Sequence, residues 1–216
     1  MTERIRPREF HRLDGVEDWR VFFHATCAHF RTGSFSRGVA LVAVIGGLAE
    51  AAGHYPHVDL RPDGVTVRLP TPDVDWPSER DVTLARRISE AARELDVPAD
   101  PAVLQQVNVA VDALVIPEVL PFWRALLGYR DKGPEDLIDP HGHGPSLWFQ
   151  QMDVRRTARN RLHVDVSVPH DQAEACIAAA LAAGGRLVTD RNAPTWWVLA
   201  DAEGNEACVA TWLGRD

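Results

Sequence analysis

The chain has 216 residues, of which 45% are hydrophobic and 25% are charged, and its formal net charge is −8. This balance is typical of a folded globular protein and excludes an intrinsically disordered chain. The acidic net charge and the scattered basic residues argue against a nucleic-acid-binding protein. The length suffices for one large domain or two small ones.

The cysteines indicate a reducing compartment. Cys27, Cys176 and Cys208 are far apart, odd in number and without metal-site spacing, so we predict a cytoplasmic protein. The N-terminal segment is charged and lacks an apolar centre, so we expect no secretory signal. The longest apolar run, residues 39–45, ends at two glycines and is too short to span a bilayer, so we expect no membrane partner.

The first half of the chain predicts two helices and two strands. Trp19 and Phe22 indicate a short strand, and Ser36 is predicted to cap a helix that ends near Ala52. Residues 63–69 alternate between apolar and polar, which is typical of a half-buried strand. A second helix is predicted from Ser78, because an acidic residue follows this hydroxyl three positions later, as in a capping box.

Two histidines and a tyrosine lie where the first helix gives way to a strand. His54, Tyr55 and His57 follow Gly53, the predicted end of the helix. Junctions of this kind place side chains at the mouth of a sheet, where pockets form. A catalytic group is one interpretation, and a polar loop with solvated histidines is the other.

Two prolines indicate a domain boundary. Pro98 and Pro101 interrupt the chain after the second helix, and prolines of this kind are common in linkers. We therefore predict domains at residues 1–97 and 104–216, joined by a linker at residues 98–103.

The second domain contains an internal repeat. Segments that begin at Gln106 and at His163 both read as strand, helix and glycine, with an offset of about 57 residues (163 minus 106). The repeated unit is of a β-α-β-β type. Paired units of this kind enclose a cleft, and side chains from equivalent strands face it. Gln106 and His163 are therefore candidate cleft residues.

Several motifs of the first domain resemble one known family. They are Gly15-Val16-Glu17-Asp18-Trp19, His54-Tyr55-Pro56, Asp63-Gly64-Val65-Thr66-Val67 and Ser78-Glu79-Arg80-Asp81-Val82. In this order they resemble the pterin-4a-carbinolamine dehydratases. The resemblance implies an antiparallel sheet with helices on one face, assembly into dimers or tetramers, and removal of water from a 4a-hydroxytetrahydropterin with histidines as general acid and base.

The resemblance also implies site residues. The candidate catalytic residues are His54, Tyr55 and His57, and Asp73 is a candidate residue of the ligand pocket. Two of the family's three histidines are replaced, one by Tyr55 and one by Pro72.

The second domain contains the motifs Pro121-Phe122-Trp123-Arg124-Ala125-Leu126-Leu127-Gly128-Tyr129 and Asp201-Ala202-Glu203-Gly204-Asn205-Glu206. These motifs and the internal repeat resemble the glyoxalase, bleomycin-resistance and extradiol-dioxygenase group, also called vicinal oxygen chelate proteins. The family's metal positions correspond to Gln106, Ser146, His163 and Cys208. Because this set contains no carboxylate, we expect no metal and no cofactor. Trp148 is a candidate cleft residue that could stack on a flat ligand.

The predicted protein is of the α+β class. An N-terminal antiparallel sheet with helices on one face precedes paired βαβββ modules. The predicted function is that of a dehydratase-like lyase with a glyoxalase-like domain, acting as a homodimer on a pterin-like or other aromatic small molecule. The alternative is a non-catalytic ligand-binding or sequestering protein, or a metal-independent glyoxalase-superfamily enzyme.

Overall fold

The computed structural model describes residues 4–22, 25–70, 77–154, 164–211 and 213. The chain divides into two compact units, residues 1–106 and 107–216. The elements of the first unit are α1 (Pro7–Phe10), β1 (Trp19–Phe22), β2 (Ala25–Arg31), α2 (Phe35–Ala52), β3 (His57–Leu60), β4 (Gly64–Leu69) and α3 (Glu79–Glu94).

The first unit is an antiparallel sheet in the order β1-β2-β4-β3, with α2 and α3 on one face. Val65 and Val67 alternate with Thr66 along β4, and the two valines are fully buried against the helices. The residues that alternate with the buried ones along each strand form the other face of the sheet. The predicted sheet with helices on one face is thereby confirmed.

Helix α2 belongs to this core. Leu41 and Ile45 on its inner side are buried in the same cluster as the sheet residues. Among the described residues, α2 is the helix that could cross a membrane by length and composition alone. Core helices pass the same criterion, and the packing of Leu41 and Ile45 is that of a core helix.

In the first unit, the sequence patterns missed two strands and misplaced one cap. β2 lies between β1 and β4 and carries small and polar residues on both faces, which hides its alternation. β3 has only four residues. The helix α2 begins at Phe35, and its N-cap is Ser34, not the predicted Ser36. The Oγ of Ser34 accepts the N–H of Arg37 at 3.4 Å. Ser34 can take this role because it has the extended backbone of a capping residue.

The segment predicted as a linker pairs with β2. The N–H of Arg31 donates to the carbonyl of Pro98 at 2.8 Å, and the N–H of Asp100 donates to the carbonyl of His29 at 2.8 Å. The side chains of Arg31 and Asp100 also form an ion pair. Residues 98–100 therefore continue the hydrogen bonding of β2, and Pro101–Val103 form one turn of 3-10 helix.

The second unit contains two copies of the same βαβββ module. The first copy is β5 (Asn108–Ala113), α4 (Ile116–Leu127), β6 (Arg130–Asp131), β7 (Asp136–Ile138) and β8 (Ser146–Gln151), and the second is β9 (Val164–Ser167), α5 (Ala173–Ala182), β10 (Arg186–Thr189), β11 (Trp196–Ala200) and β12 (Glu206–Ala210). The sheet orders are β5-β8-β7-β6 and β9-β12-β11-β10. In each copy the first strand runs parallel to the fourth, so the predicted repeat is confirmed.

The two modules share one hydrophobic core. Phe122 and Trp123 of α4, Phe149 of β8 and Val209 of β12 belong to a single buried cluster. Since alternate residues of each strand face this core, the remaining residues of both sheets lie on the faces away from α4 and α5.

Candidate functional site

A buried histidine and a buried aspartate meet in the first unit. The Nε2 atom of His54 lies 2.9 Å from the Oδ1 atom of Asp81. His54 is 7% exposed and Asp81 is 0% exposed. Because an ionised carboxylate only accepts hydrogen bonds, Nε2 carries the proton and donates it, which leaves Nδ1 as the acceptor of the neutral ring.

The end of α2 brings His54 to this position. Gly53 closes the helix with φ of 55°, a left-handed conformation that glycine adopts without strain. The N–H of His54 donates to the carbonyl of Ala49 at 3.2 Å. The guanidinium of Arg80 donates to the carbonyl of Gly53 at 2.8 Å, which ties the end of α2 to the start of α3.

The start of α3 holds Asp81 in place. Its Oδ2 atom accepts the N–H of Ser78 at 2.8 Å and the hydroxyl of Ser78 at 2.7 Å. The capping residue predicted from the sequence is therefore present. The Oδ1 atom of Asp81 accepts the hydrogen bond from His54. The sequence did not predict this second role of Asp81, because the spacing of a capping box describes only local contacts.

Tyr55 and His57 do not join this pair. Tyr55 is 58% exposed, and its hydroxyl donates to the Oε2 atom of Glu50 at 3.2 Å. His57 opens β3, and Val58 and Leu60 of the same strand pack against the core. The alternation of a strand places His57 on the opposite face of the sheet, beside Arg68 of β4.

The candidate residues of the second unit lie on two sheets. Trp148 is 41% exposed on the face of β8 away from the core, between Ala110 of β5 and Asp136 of β7. Cys208 is buried on the corresponding face of β12, beside Asp165 of β9. Gln106 is partly buried and ends the first unit. Asp73 and His163 lie outside the described residues.

Two of the predicted metal positions of the second unit, Cys208 and Ser146, can be described in strands β12 and β8. Burial and the neighbouring carboxylates of Asp165 and Glu206 raise the pKa of Cys208 to about 11, and a metal requires the thiolate. Ser146 opens β8 and offers a neutral hydroxyl. Within the described ranges, no group of three or more His, Cys, Asp or Glu side chains could hold a metal ion.

The acidic turn before β12 is structural. Asp201 is fully buried and accepts hydrogen bonds from the indole of Trp123 at 2.9 Å and from the side chain of Asn205 at 2.7 Å. The two carboxylate oxygens of Glu203 accept the N–H groups of Leu114 at 2.8 Å and Val115 at 2.7 Å. These contacts place a negative charge at the start of α4, where it is stabilising, and they join the two modules.

Comparison with known proteins identifies the first unit. Residues 4–91 match the family model of pterin 4 alpha carbinolamine dehydratase. A protein of Chloroflexus aurantiacus, provisionally named pterin-4-alpha-carbinolamine dehydratase, is 37% identical over 73 residues, which are 34% of this chain and 78% of that protein. The chain belongs to the pterin-4-alpha-carbinolamine dehydratase family. A solved structure of a transcriptional coactivator/pterin dehydratase from Brucella melitensis covers 42% of this dehydratase-family chain and 99% of its own, at 25% identity and a TM-score of 0.37.

The second unit adds a different domain to this dehydratase-family chain. Residues 108–210 match the family model of a glyoxalase-like domain. A glyoxalase/bleomycin resistance protein/dioxygenase family enzyme from Burkholderia phytofirmans PsJN is similar over 49% of this chain and 97% of its own, at 17% identity and a TM-score of 0.40.

Proposed function

We propose that the first unit dehydrates a 4a-hydroxytetrahydropterin and that His54 carries the proton transfer. The observation that supports this function is the buried hydrogen bond between His54 and Asp81. Membership of the dehydratase family supplies the class of substrate. The second unit is then a glyoxalase-like small-molecule-binding domain on the same chain.

The reaction needs one proton delivered and one removed. The bond between C4a and the hydroxyl oxygen breaks, the oxygen leaves as water after it takes up a proton, and a ring nitrogen of the pterin loses a proton. A histidine titrates near neutral pH and can serve either step. Asp81 acts as a positioning residue, because its carboxylate fixes the ring orientation of His54 and stabilises the imidazolium.

Tyr55 is the polar neighbour of His54 in the chain and replaces a histidine of the family. Its side chain is 58% exposed, and its hydroxyl donates to the Oε2 atom of Glu50 at 3.2 Å. We therefore infer that His54 dominates the reaction and that Tyr55 contributes less.

The test is the rate of quinonoid dihydropterin formation from the carbinolamine, followed by stopped-flow absorbance. We expect the full-length protein to exceed the buffer rate and His54→Ala to lose at least 10²-fold, roughly the contribution of a general acid or base. His57→Ala is the matched control, because its side chain lies on the opposite face of the sheet, and it should retain the rate. A wild-type rate equal to that of buffer would refute the proposal.

A second candidate function rests on Trp148. Its exposed indole lies between the small Ala110 and the carboxylate of Asp136, and indole faces stack on flat ligands. In this alternative the protein binds or sequesters an aromatic molecule, or acts as a metal-independent enzyme of the glyoxalase group. A reduced pterin or bleomycin that raises the Tm of the wild type, but not of Trp148→Ala, would support it.

We further infer that the protein works in the cytoplasm as a homodimer. The free thiols of Cys27, Cys176 and Cys208 suit a reducing compartment.

A further inference from the structure

The residues that precede α1 pair with the residues at the start of α3. Arg4 and Ile5, here called the N-terminal strap, lie antiparallel to Pro77 and Ser78, with a β-bridge between Arg4 and Ser78. The N–H of Ile5 donates to the carbonyl of Pro77 at 2.8 Å. The side chain of Ile5 is 9% exposed and belongs to the core of the first unit. The N-terminal strap is therefore fixed through both its backbone and its side chain.

Ser78 connects the N-terminal strap to the candidate site. Its backbone is extended, with φ of −128° and ψ of 174°, as pairing with Arg4 requires. From this conformation its N–H and its hydroxyl both donate to the Oδ2 atom of Asp81, at 2.8 Å and 2.7 Å. The Oδ1 atom of Asp81 lies 2.9 Å from the Nε2 atom of His54. A continuous series of contacts therefore runs from Ile5 to His54.

The members of this series are shielded from water. Pro77, Ser78 and Asp81 are all buried, and a buried carbonyl that loses its donor is costly. The capping box fixes Asp81 relative to Ser78, but it does not fix Ser78 relative to the rest of the unit. The bond from Ile5 to Pro77 supplies that attachment.

Arg80 provides a second attachment of the same helix turn. Its guanidinium donates to the carbonyl of Gly53 at 2.8 Å from an exposed position. Water competes for an exposed hydrogen bond, so the net stabilisation that it provides is small. The buried N-terminal strap therefore constrains Asp81 more strongly than Arg80 does.

We propose that Ile5 is a positioning residue for His54, acting through Pro77, Ser78 and Asp81. The N-terminal strap holds the first turn of α3 where the carboxylate of Asp81 faces the imidazole. Only the kinetic consequence of this inference rests on the dehydration proposed above. The orientation that it predicts for His54 can be measured without a substrate.

Removal of the Ile5 amide tests the proposal. Ile5→Pro lacks the N–H that donates to Pro77, whereas Ile5→Val keeps the N–H and a similar apolar side chain. The readout is the exchange of the Nε2 proton of His54 with water, measured by NMR on the full chain with isotope-labelled histidine and assigned by its absence from His54→Ala. We expect Ile5→Pro to speed this exchange roughly tenfold and Ile5→Val to leave it unchanged.

Phe10→Leu separates positioning from stability. Phe10 is fully buried in the same core, so its truncation lowers the Tm without removing the bond between Ile5 and Pro77. At a matched loss of Tm, this variant should speed the exchange of the His54 proton less than Ile5→Pro does. If Ile5→Pro does not fold, Ile5→Ala replaces it. This variant weakens the apolar contact of the N-terminal strap and should still speed the exchange more than Phe10→Leu does.

Turnover of the carbinolamine measures the kinetic consequence. Ile5→Pro should lower kcat and kcat/KM equally, by roughly tenfold, because a misoriented ring affects the chemical step and not the binding of the substrate. An exchange rate at His54 that ignores Ile5→Pro, or that responds equally to Phe10→Leu, overturns the role of Ile5 whatever the turnover. A wild type without turnover refutes the dehydration instead, and the exchange measurement still decides the role of Ile5.

Discussion

The indole Nε1 of Trp123 donates a hydrogen bond to the Oδ2 atom of Asp201 at 2.9 Å, and both residues are buried. Trp123 belongs to α4 of the first module, and Asp201 belongs to the turn before β12 of the second. We expect Trp123→Phe to lower the free energy of unfolding by about 1–3 kcal/mol, because a buried acceptor loses one of its donors. Denaturant unfolding of the full chain measures the loss.

The control for this variant is Trp148→Phe. Trp148 is partly exposed on the other face of its sheet, and surface substitutions change stability by about 0.5 kcal/mol or less. Equal losses in the two variants would contradict the role assigned to the bond with Asp201.

Gly185 is predicted to be intolerant of a side chain. A Cβ atom there would lie 2.4 Å from Cδ2 of Phe122 and 2.8 Å from the carbonyl oxygen of Ala180. We expect Gly185→Ala to destabilise the second unit by about 1–3 kcal/mol through overpacking. In a Phe122→Leu background the same change should cost less, and unfolding of all four proteins in a double-mutant cycle tests this. Simple additivity would show that Phe122 is not the obstacle.

Substitution of Asp81 tests whether this residue positions the ring of His54 or only stabilises the fold. Asp81→Asn should lower carbinolamine turnover by roughly 10²-fold, since an amide cannot orient the ring as a carboxylate does or stabilise the imidazolium. In the His54→Ala background the same substitution should lower turnover little further. If the two losses multiply, Asp81 acts independently of His54.

Cys208 is predicted to be a slow nucleophile. Its pKa is raised to about 11 from 9.0 by burial and by the carboxylates of Asp165 and Glu206. This shift lowers the thiolate fraction about 100-fold near neutral pH, and the thiolate is the reactive species. Iodoacetamide labelling of the Cys208 peptide, followed by mass spectrometry across pH, should have its midpoint well above 9.

Asp165→Asn should shift that midpoint to lower pH and speed the labelling. The midpoint moves to lower pH because the negative charge of Asp165 disfavours the Cys208 thiolate. Without that charge, burial is the main remaining cause of the raised pKa of Cys208. Cys176, whose pKa is raised by burial alone, is the internal control and should not respond. An unchanged Cys208 midpoint would contradict the coupling.

The sequence was sufficient at several places where the structure depends on neighbours in the chain. The alternation of Val65 and Val67 predicted β4, Gly53 predicted the end of α2, and Ser78 with Asp81 predicted the cap of α3. The internal repeat predicted two modules of equal topology. Each of these signals acts within a few residues or compares one segment with another.

The sequence was insufficient where residues meet across the fold. His54 and Asp81 are 27 positions apart, and no periodicity links them. His57 is three residues from His54, yet the strand that begins there places it on the other face of the sheet. The strand β2 escaped detection because small and polar residues occur on both of its faces, such as Thr26 and Ala28 on one and Cys27 and His29 on the other.

The position of Glu203 has a consequence for the order of folding. Its carboxylate accepts the N–H groups of Leu114 and Val115, which stand 89 and 88 positions earlier in the chain. In a nascent chain that has emerged only as far as β8, the two amides that directly precede helix α4 therefore still lack their acceptor. The first module reaches its final form only once the last hairpin has been synthesised. In a fragment that ends before residue 203, the first turn of α4 should therefore be less stable.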